Sequence, residues 1–270
     1  MMPVIFVGHG SPMNAIEDNE FTKSWKQIVP DIPGPKAILC VSAHWETKGT
    51  RVSILEHPKT IHDFYGFPKA LFDVEYNVQG SPFYARKTLE LLGNTAAEDI
   101  SWGIDHGAWS VLRVMYPEAD IPVYQLSIDQ DASAKEIFRI GQMLAPLREE
   151  GILIIGSGNI VHNLRIFDFS IAGGFDWAES FDDYIGEKIK DRDFDSIIGA
   201  RDDRDGANPT GANKIGARDL SEAARLAIPT TEHFNPLIYV LGAVKSSDKV
   251  EIYNKACVAG SISMTSYLFG

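Results

Sequence analysis

Seven histidines are the residues of this chain whose type and placement most directly point to chemistry. Three of them come after short apolar runs: residues 3–7 lead to His9, residues 37–41 to His44, and residues 151–155 to His162. Runs of this length and composition predict buried strands that are covered on both faces. Ligands of an open α/β sheet bind beyond the carboxyl ends of its strands, so the sequence predicts that these three imidazoles approach one site.

Two more histidines, His106 and His233, stand where an irregular segment leads into a predicted helix. A neutral imidazole is a common ligand for zinc and iron, and it is also the acid–base group best matched to neutral pH. Several imidazoles without thiolates favour a catalytic metal with open coordination positions. The sequence has no His-Glu-x-x-His motif, so this interpretation rests on the placement of the histidines.

The other polar candidates each have a structural interpretation beside a functional one. His57 precedes a proline and is expected at the surface, whereas His62, on an aromatic loop, can contact a substrate or serve the fold. Glu46 and Glu232 are either partners of a metal site or solvated carboxylates. Ser157 is expected to make loop hydrogen bonds. The sequence contains no nucleophile elbow, dinucleotide fingerprint or phosphate loop.

Composition narrows the class of protein. The chain has 270 residues, a formal net charge of −12, 44% hydrophobic and 23% charged residues, which are values of a globular protein. The negative charge argues against binding nucleic acid. No run is long enough to span a bilayer, and no signal peptide is recognised, so we expect a cytoplasmic protein. Cys40 and Cys257 are expected to be buried free thiols.

The predicted elements describe a single α/β domain over residues 1–270, in which helices flank a central, mostly parallel or mixed sheet. Further predicted strands cover residues 51–55, 122–128, 250–253 and 257–267. Predicted helices cover residues 19–29, 82–92, 109–116, 134–150, 175–190, 220–227 and 237–244. Residues 191–208, rich in Asp and Arg, are predicted to be a solvated surface excursion. The metal site is expected at the strand ends.

Several segments together resemble the class III extradiol ring-cleavage dioxygenases, and more closely their DOPA 4,5-dioxygenase-like branch. They are Gly-His-Gly-Ser-Pro-Met-Asn (8–14), Ser-Ala-His-Trp (42–45), His-Asp-Phe-Tyr-Gly-Phe-Pro (62–68), Asp-His-Gly-Ala-Trp (105–109), Gly-Ser-Gly-Asn-Ile-Val-His-Asn-Leu (156–164) and Glu-His-Phe (232–234). They occur in order over nearly the whole chain, and the ordered set is what makes the resemblance specific.

The resemblance implies one divalent metal bound by His9, His44 and His233, with His162 as acid–base residue or fourth ligand. It implies that His106 is a second proton-transfer residue. The wider superfamily has a carboxylate where His233 stands, so the usual site of two histidines and one carboxylate is altered here. This departure leaves both Fe(II), expected for activity, and Zn(II), in a resting or purified form, open.

The implied reaction is extradiol cleavage, by dioxygen, of the ring of a small catechol such as DOPA or a related dihydroxyphenyl compound. Four residues are candidates for substrate contact: His62, Tyr65, Phe67 and Asn14. The alternatives are a zinc hydrolase that uses metal-bound water, with Glu46 or Glu232 as base, and a metal-binding scaffold without activity. Nucleic-acid and membrane partners are not expected, and a symmetric homodimer is only the base-rate expectation for assembly.

Overall fold

The apolar runs of the sequence form the strands of this computed structural model, which describes residues 1–202 and 217–270. The strands are β1 (Val4–Gly8), β2 (Ala37–Ser42), β3 (Glu46–Thr47), β4 (Thr50–Ser53), β5 (Ala96–Asp99), β6 (Val123–Gln125), β7 (Ile128–Asp129), β8 (Ile152–Gly158), β9 (Val250–Tyr253), β10 (Cys257–Val258), β11 (Ile262–Ser263) and β12 (Ser266–Phe269). The central sheet has the order β6-β2-β8-β1-β12-β9. Its first four strands pair in parallel, and β12 pairs antiparallel with both β1 and β9.

Helices cover both faces of this sheet. They are α1 (Glu20–Ile28), α2 (Lys69–Phe72), α3 (Pro82–Leu92), α4 (His106–Met115), α5 (Ala134–Leu144), α6 (Asp176–Lys190), α7 (Phe194–Asp202), α8 (Ala217–Ala227) and α9 (Asn235–Ala243). Alternate residues of β1 point to opposite faces: Val4 and Phe6 pack in the cluster built with α5, α6 and α9, whereas Ile5 and Val7 pack in the cluster built with α1 and α4. The predicted single-domain α/β fold is confirmed.

Three predicted elements are shorter than expected or divided. The strand predicted over residues 257–267 forms β10, β11 and the beginning of β12. The helix predicted over residues 134–150 ends at Leu144 and continues as a 3₁₀ helix, Ala145–Arg148. Pro146 lacks the backbone N–H that an α-helix would use there, which explains the change. The strand predicted over residues 122–128 divides into β6, in the central sheet, and β7, which pairs with β3.

The prediction that residues 191–208 form a solvated excursion is wrong for its described part. Residues 194–202 form α7, and its Ile197 and Ile198 are buried in the main core. Arg201 is also buried and donates to Asn235 Oδ1 and to the Ala132 carbonyl oxygen. The charged composition concealed an apolar face, because two isoleucines and the stem of an arginine suffice to bury one side of a short helix. Residues 203–208 lie outside the described residues.

The two thiols are buried and unpaired, as predicted, and burial raises the pKa of Cys40 well above its usual value. No helix in residues 1–202 and 217–270 has the length and apolarity to cross a membrane.

Candidate metal centre

Three imidazoles face one another at the carboxyl ends of the parallel strands. His9 follows β1 directly, and His44 lies two residues beyond β2. His233 arrives from the turn before α9, where its carbonyl oxygen accepts the backbone N–H of Asn159, 2.8 Å away, just beyond β8. The ring centroids of the pairs His9–His44, His9–His233 and His44–His233 are 5.2, 5.3 and 5.1 Å apart. The rings therefore form a nearly equilateral arrangement, which we call the histidine triangle.

Each ring of the histidine triangle has a partner at its outer nitrogen. His9 Nδ1 lies 2.9 Å from Ser157 Oγ. The Ser157 hydroxyl donates to the Gly107 carbonyl oxygen, 2.5 Å away, so it accepts from His9 and fixes the proton on Nδ1. His44 Nδ1 lies 3.4 Å from Asp63 Oδ2, and His233 Nδ1 lies 3.2 Å from Glu232 Oε1. Such outer partners orient metal-binding imidazoles and direct Nε2 inward.

The geometry of the histidine triangle fits a metal ion. One ligand nitrogen from each ring lies within 4.8 Å of the others. Imidazoles bound at about 2.0–2.1 Å to one ion, with near-tetrahedral angles, would have centroids about 5 Å apart, which matches the observed spacing. His44 Nε2 is buried and has no hydrogen-bond partner among the described residues. The site could therefore bind a metal, and three neutral imidazoles suit zinc or iron.

His106 lies beside the histidine triangle because α4 begins there. Asp105 caps this helix by accepting the Ala108 backbone N–H, and the His106 ring centroid is 3.8 Å from that of His44. His106 Nδ1 is 2.9 Å from Asp63 Oδ2, an ion-pair distance but off the direction of a good hydrogen bond. The structure thus brings one proposed ligand and one proposed proton-transfer residue to the same carboxylate.

His162 lies on the opposite side. Its ring stacks on that of His233 with centroids 3.4 Å apart and an interplanar angle of 7°. Ligand atoms of His162, Glu232 and His233 lie within 4.8 Å of one another. The structure therefore brings together all five histidines that the sequence singled out, while the role of each stays a prediction.

A buried polar network holds the ends of β2 and α4 together. Asp105 Oδ1 accepts the Ser42 hydroxyl at 2.5 Å, and Oδ2 accepts the Gln125 amide at 2.7 Å and the Trp102 indole N–H at 3.2 Å. The Ser42 hydroxyl in turn accepts the backbone N–H of His44 at 3.3 Å. Because each buried group is paired, the network fixes the relative positions of His44 and α4.

Burial keeps His9, His44, His162 and His233 neutral. It lowers the pKa of His44 to about 4 and the pKa of His162 also to about 4. Burial and the neighbouring imidazoles hold the pKa values of His9 and His233 well below their usual range. All four therefore have a free lone pair at neutral pH. Burial raises the pKa of Asp63, but the contacts with His106 and His44 outweigh it, and the net pKa is lowered.

The four residues predicted to touch substrate have different surroundings. Asn14 is buried and donates to the His9 carbonyl oxygen, and His62 Nε2 is 2.9 Å from the Val74 carbonyl oxygen. Phe67 packs against the core beside α4, whereas Tyr65 is 92% exposed. Substrate contact by these residues stays a prediction. His57 is exposed, as expected.

Sequence reasoning missed three residues that support the site: Asp63, Asp105 and Ser157. Two of them had a visible signal, because Asp63 lies within the 62–68 motif and Asp105 directly precedes His106 at a helix start. Ser157 was expected to make only loop hydrogen bonds. Its contact with His9 depends on the parallel pairing of β1 with β8, in which Val7 lies opposite Ser157.

Comparisons with known proteins identify the family of this chain. The family described as the catalytic LigB subunit of aromatic ring-opening dioxygenase matches residues 3–270. A 4,5-DOPA dioxygenase extradiol from Escherichia coli (strain K12) is 42% identical over 277 residues, covering 100% of this chain and 95% of that protein. One from Beta vulgaris is 35% identical over 272 residues, with 98% and 95% covered. A crystal structure of an uncharacterized Escherichia coli K12 protein matches with a TM-score of 0.78 at 38% identity, covering 100% of both chains.

The protein has an α/β fold with a cluster of histidines at the strand ends. By its family match and its relatives, the chain belongs to the class III extradiol ring-cleavage dioxygenases. Within them it falls in the DOPA 4,5-dioxygenase-like branch. The resemblance predicted from the sequence is confirmed. This membership favours ring cleavage over the zinc hydrolase.

Proposed function

We propose that this extradiol dioxygenase opens the ring of a small catechol, DOPA or a related dihydroxyphenyl compound, at one divalent metal ion. His9, His44 and His233 would hold the ion, and dioxygen is the second substrate. The names of the relatives from Escherichia coli and Beta vulgaris support the substrate class. Activity with Fe(II) and a resting form with Zn(II) are both part of the proposal, as are a cytoplasmic location and the expectation of a homodimer.

One observation carries the proposal: the histidine triangle combines equal ring spacings of 5.1–5.3 Å with an outer partner at each Nδ1. A cluster that served only packing would have no need to leave a buried nitrogen such as His44 Nε2 unpaired. Fe(II) held there would bring catechol and dioxygen together and would allow electrons to pass between them.

The chain's own residues would handle the protons. A catechol must lose a hydroxyl proton as it binds, and ring opening requires protons to be returned later. His162 and His106 lie on two sides of the histidine triangle, next to His233 and His44 respectively. The residue that accepts the catechol proton can later return it to the opening ring, because an imidazole that has acted as a base can then act as an acid.

The aromatic loop would exclude water and contact the ring. Phe64 lies edge-on to His106, with centroids 5.5 Å apart, and also contacts Phe67 at 5.4 Å. Aromatic side chains in this arrangement give a flat ring an apolar surface and keep the site dry.

Reconstitution tests the function. The full chain, stripped of metal and loaded anaerobically with Fe(II) or Zn(II), is given a panel of catechols that includes DOPA while dioxygen consumption is followed. We expect consumption with Fe(II) and at least one catechol, together with a yellow product. Folded, metal-loaded protein that consumes no dioxygen with any catechol would contradict the proposal.

Two substitutions separate proton transfer from metal binding. We expect His106→Ala to lower turnover by about 10²–10⁴-fold while metal content is retained, because general acid–base catalysis contributes a factor of that size. His162→Ala should do the same if it is an acid–base residue, and loss of metal would make it a ligand. Turnover and metal content are measured on the same samples, with the exposed His57→Ala as the matched control. Unchanged turnover in both variants would remove them from the mechanism.

A further inference from the structure

Asp63 is a carboxylate that lies within ion-pair distance of two histidines of the site. Its Oδ2 atom lies 2.9 Å from His106 Nδ1 and 3.4 Å from His44 Nδ1. Its Oδ1 atom accepts the backbone N–H of His106 at 2.9 Å. The side chain is 20% exposed, although the loop backbone is open to solvent. A carboxylate has only acceptor atoms, so each neighbouring imidazole is stabilised with its proton on Nδ1.

The loop around Asp63 is clamped on both sides of this residue. The carbonyl oxygen of Ile61 accepts the Trp109 indole N–H at 2.8 Å, and His62 Nε2 is 2.9 Å from the Val74 carbonyl oxygen. Phe64 then packs against His106 and Trp109. The neighbours of Asp63 are thus anchored to α4 and to the segment after α2, which fixes the position of the carboxylate relative to His106.

We infer that Asp63 is a positioning residue that holds both His44 and His106 as the Nδ1–H tautomer, so that the Nε2 lone pairs of a metal ligand and of a proton-transfer residue point into the site. The inference rests on the proposed function for what each lone pair does, whereas the tautomers are argued from the charge of Asp63 and its two ion-pair distances of 2.9 and 3.4 Å. It also gives the 62–68 motif a role through its aspartate.

Asp63→Asn tests this inference because it conserves the shape of the side chain and replaces one of its two acceptor oxygens by an NH₂ donor. If the amide nitrogen faces the rings, both imidazoles must become acceptors and place their protons on Nε2. If the amide oxygen faces the rings, the NH₂ group meets the backbone N–H of His106, which also donates. Neither orientation satisfies all three donors that Asp63 serves.

Asp193→Asn is the matched control. Asp193 also accepts a backbone N–H, from Ser196 at 3.2 Å, through one oxygen, and two side-chain donors, Lys188 and Ser196, through the other. It contacts no histidine among the described residues. The variant therefore reproduces the loss of a comparable carboxylate without touching the imidazoles.

The readout is the tautomer of each histidine in the full-length, metal-free chain, from long-range ¹H–¹⁵N correlation spectra at pH 7.5, assigned with His44→Gln and His106→Gln. We expect Nδ1–H signals for both histidines in wild type and in Asp193→Asn, and a shift of at least one to Nε2–H in Asp63→Asn. Zn(II) affinity, from chelator competition, should fall about 10–100-fold in Asp63→Asn only.

Two results would overturn the inference. One is an Asp63→Asn protein with both tautomers intact and Zn(II) affinity equal to that of the control. The other is lost affinity with both tautomers intact, which would make Asp63 a direct ligand. Should Asp63→Asn not fold, Asp63→Glu keeps the carboxylate and must retain the His106 Nδ1–H signal. A wild type that consumes no dioxygen would refute the proposed function alone, because the tautomers are read without catalysis.

Discussion

At the scale of single residues, the three members of the histidine triangle differ in what stands behind them. His9 is backed by a neutral hydroxyl, Ser157, whereas His44 and His233 are each close to a carboxylate. A carboxylate behind an imidazole raises its basicity as a ligand more than a hydroxyl does. His9 should therefore be the weakest donor of the three, and the one most dependent on correct orientation.

The Ser157→Ala substitution tests that dependence. It removes the acceptor for His9 Nδ1–H, so the ring can rotate or change tautomer. We expect Zn(II) affinity to fall about tenfold in chelator competition, because loss of such an outer partner costs 10–100-fold. Ser127→Ala is the control, since Ser127 is also a buried serine but bonds Thr47 and the Arg51 backbone. Equal affinities in the two variants would show that Ser157 does not orient His9.

At the scale of elements, the sequence predicted the strands that precede the histidines more accurately than it predicted the contacts between elements. β1, β2 and β8 are short apolar runs, and burial on both faces makes such runs recognisable. The contacts of Asp63 were not predicted because its partners, His44 beyond β2 and His106 at the start of α4, are distant from it in sequence. Local periodicity reports which face of an element is buried, but not which loop crosses the end of a sheet.

Helix α4 shows how close the packing between elements must be. A Cβ atom added to Gly107 would overlap Ser42 Oγ and lie 2.6 Å from His44 Cδ2. Gly107→Ala should therefore displace His44 or α4, with an overpacking cost of about 1–3 kcal/mol. We expect Zn(II) affinity and turnover both to fall at least tenfold while the protein stays folded.

Gly34→Ala is the control for that experiment, because nothing lies within 4 Å of its added Cβ. Thermal denaturation of both variants separates lost stability from lost metal binding. A Gly107→Ala protein with wild-type metal affinity would show that the contact between α4 and His44 can relax without cost to the site.

At the scale of the whole molecule, the site depends on both ends of the chain. The last strand, β12, lies beside β1, and the Ser266 hydroxyl accepts the Gly8 backbone N–H, one residue before His9. Far from the site, buried Arg148 pairs with Asp248 and donates to the Met2 carbonyl oxygen. The C-terminal strands thus complete the sheet that positions His9. We therefore expect metal binding to require that the whole domain is folded.

That stability should depend on pH through Asp182, a buried residue of α6 that accepts the hydroxyls of Ser263 and Thr265 near the C-terminus. Burial raises the pKa of Asp182 from 3.8 to about 6, and the two hydroxyls only partly offset this. The folded state therefore holds this proton more tightly than the unfolded state. The contribution of protonated Asp182 to the free energy of unfolding is fully present below pH 4 and is lost as the pH rises through about 6.

The amide side chain of Asp182→Asn cannot ionise. The variant should therefore become more stable relative to wild type as the pH rises from 4 to 7. We expect the difference in free energy of unfolding to move by about 2 kcal/mol in favour of the variant, as measured by urea denaturation at each pH. Asp168→Asn is a control for the direction of the effect. Hydrogen bonds from Ser170 lower the pKa of exposed Asp168, so the difference in free energy of unfolding should move weakly in favour of wild type as the pH rises. A wild-type minus Asp182→Asn difference that stays constant with pH would mean that water reaches Asp182, and that the C-terminal strands pack less tightly on α6 than the structure indicates.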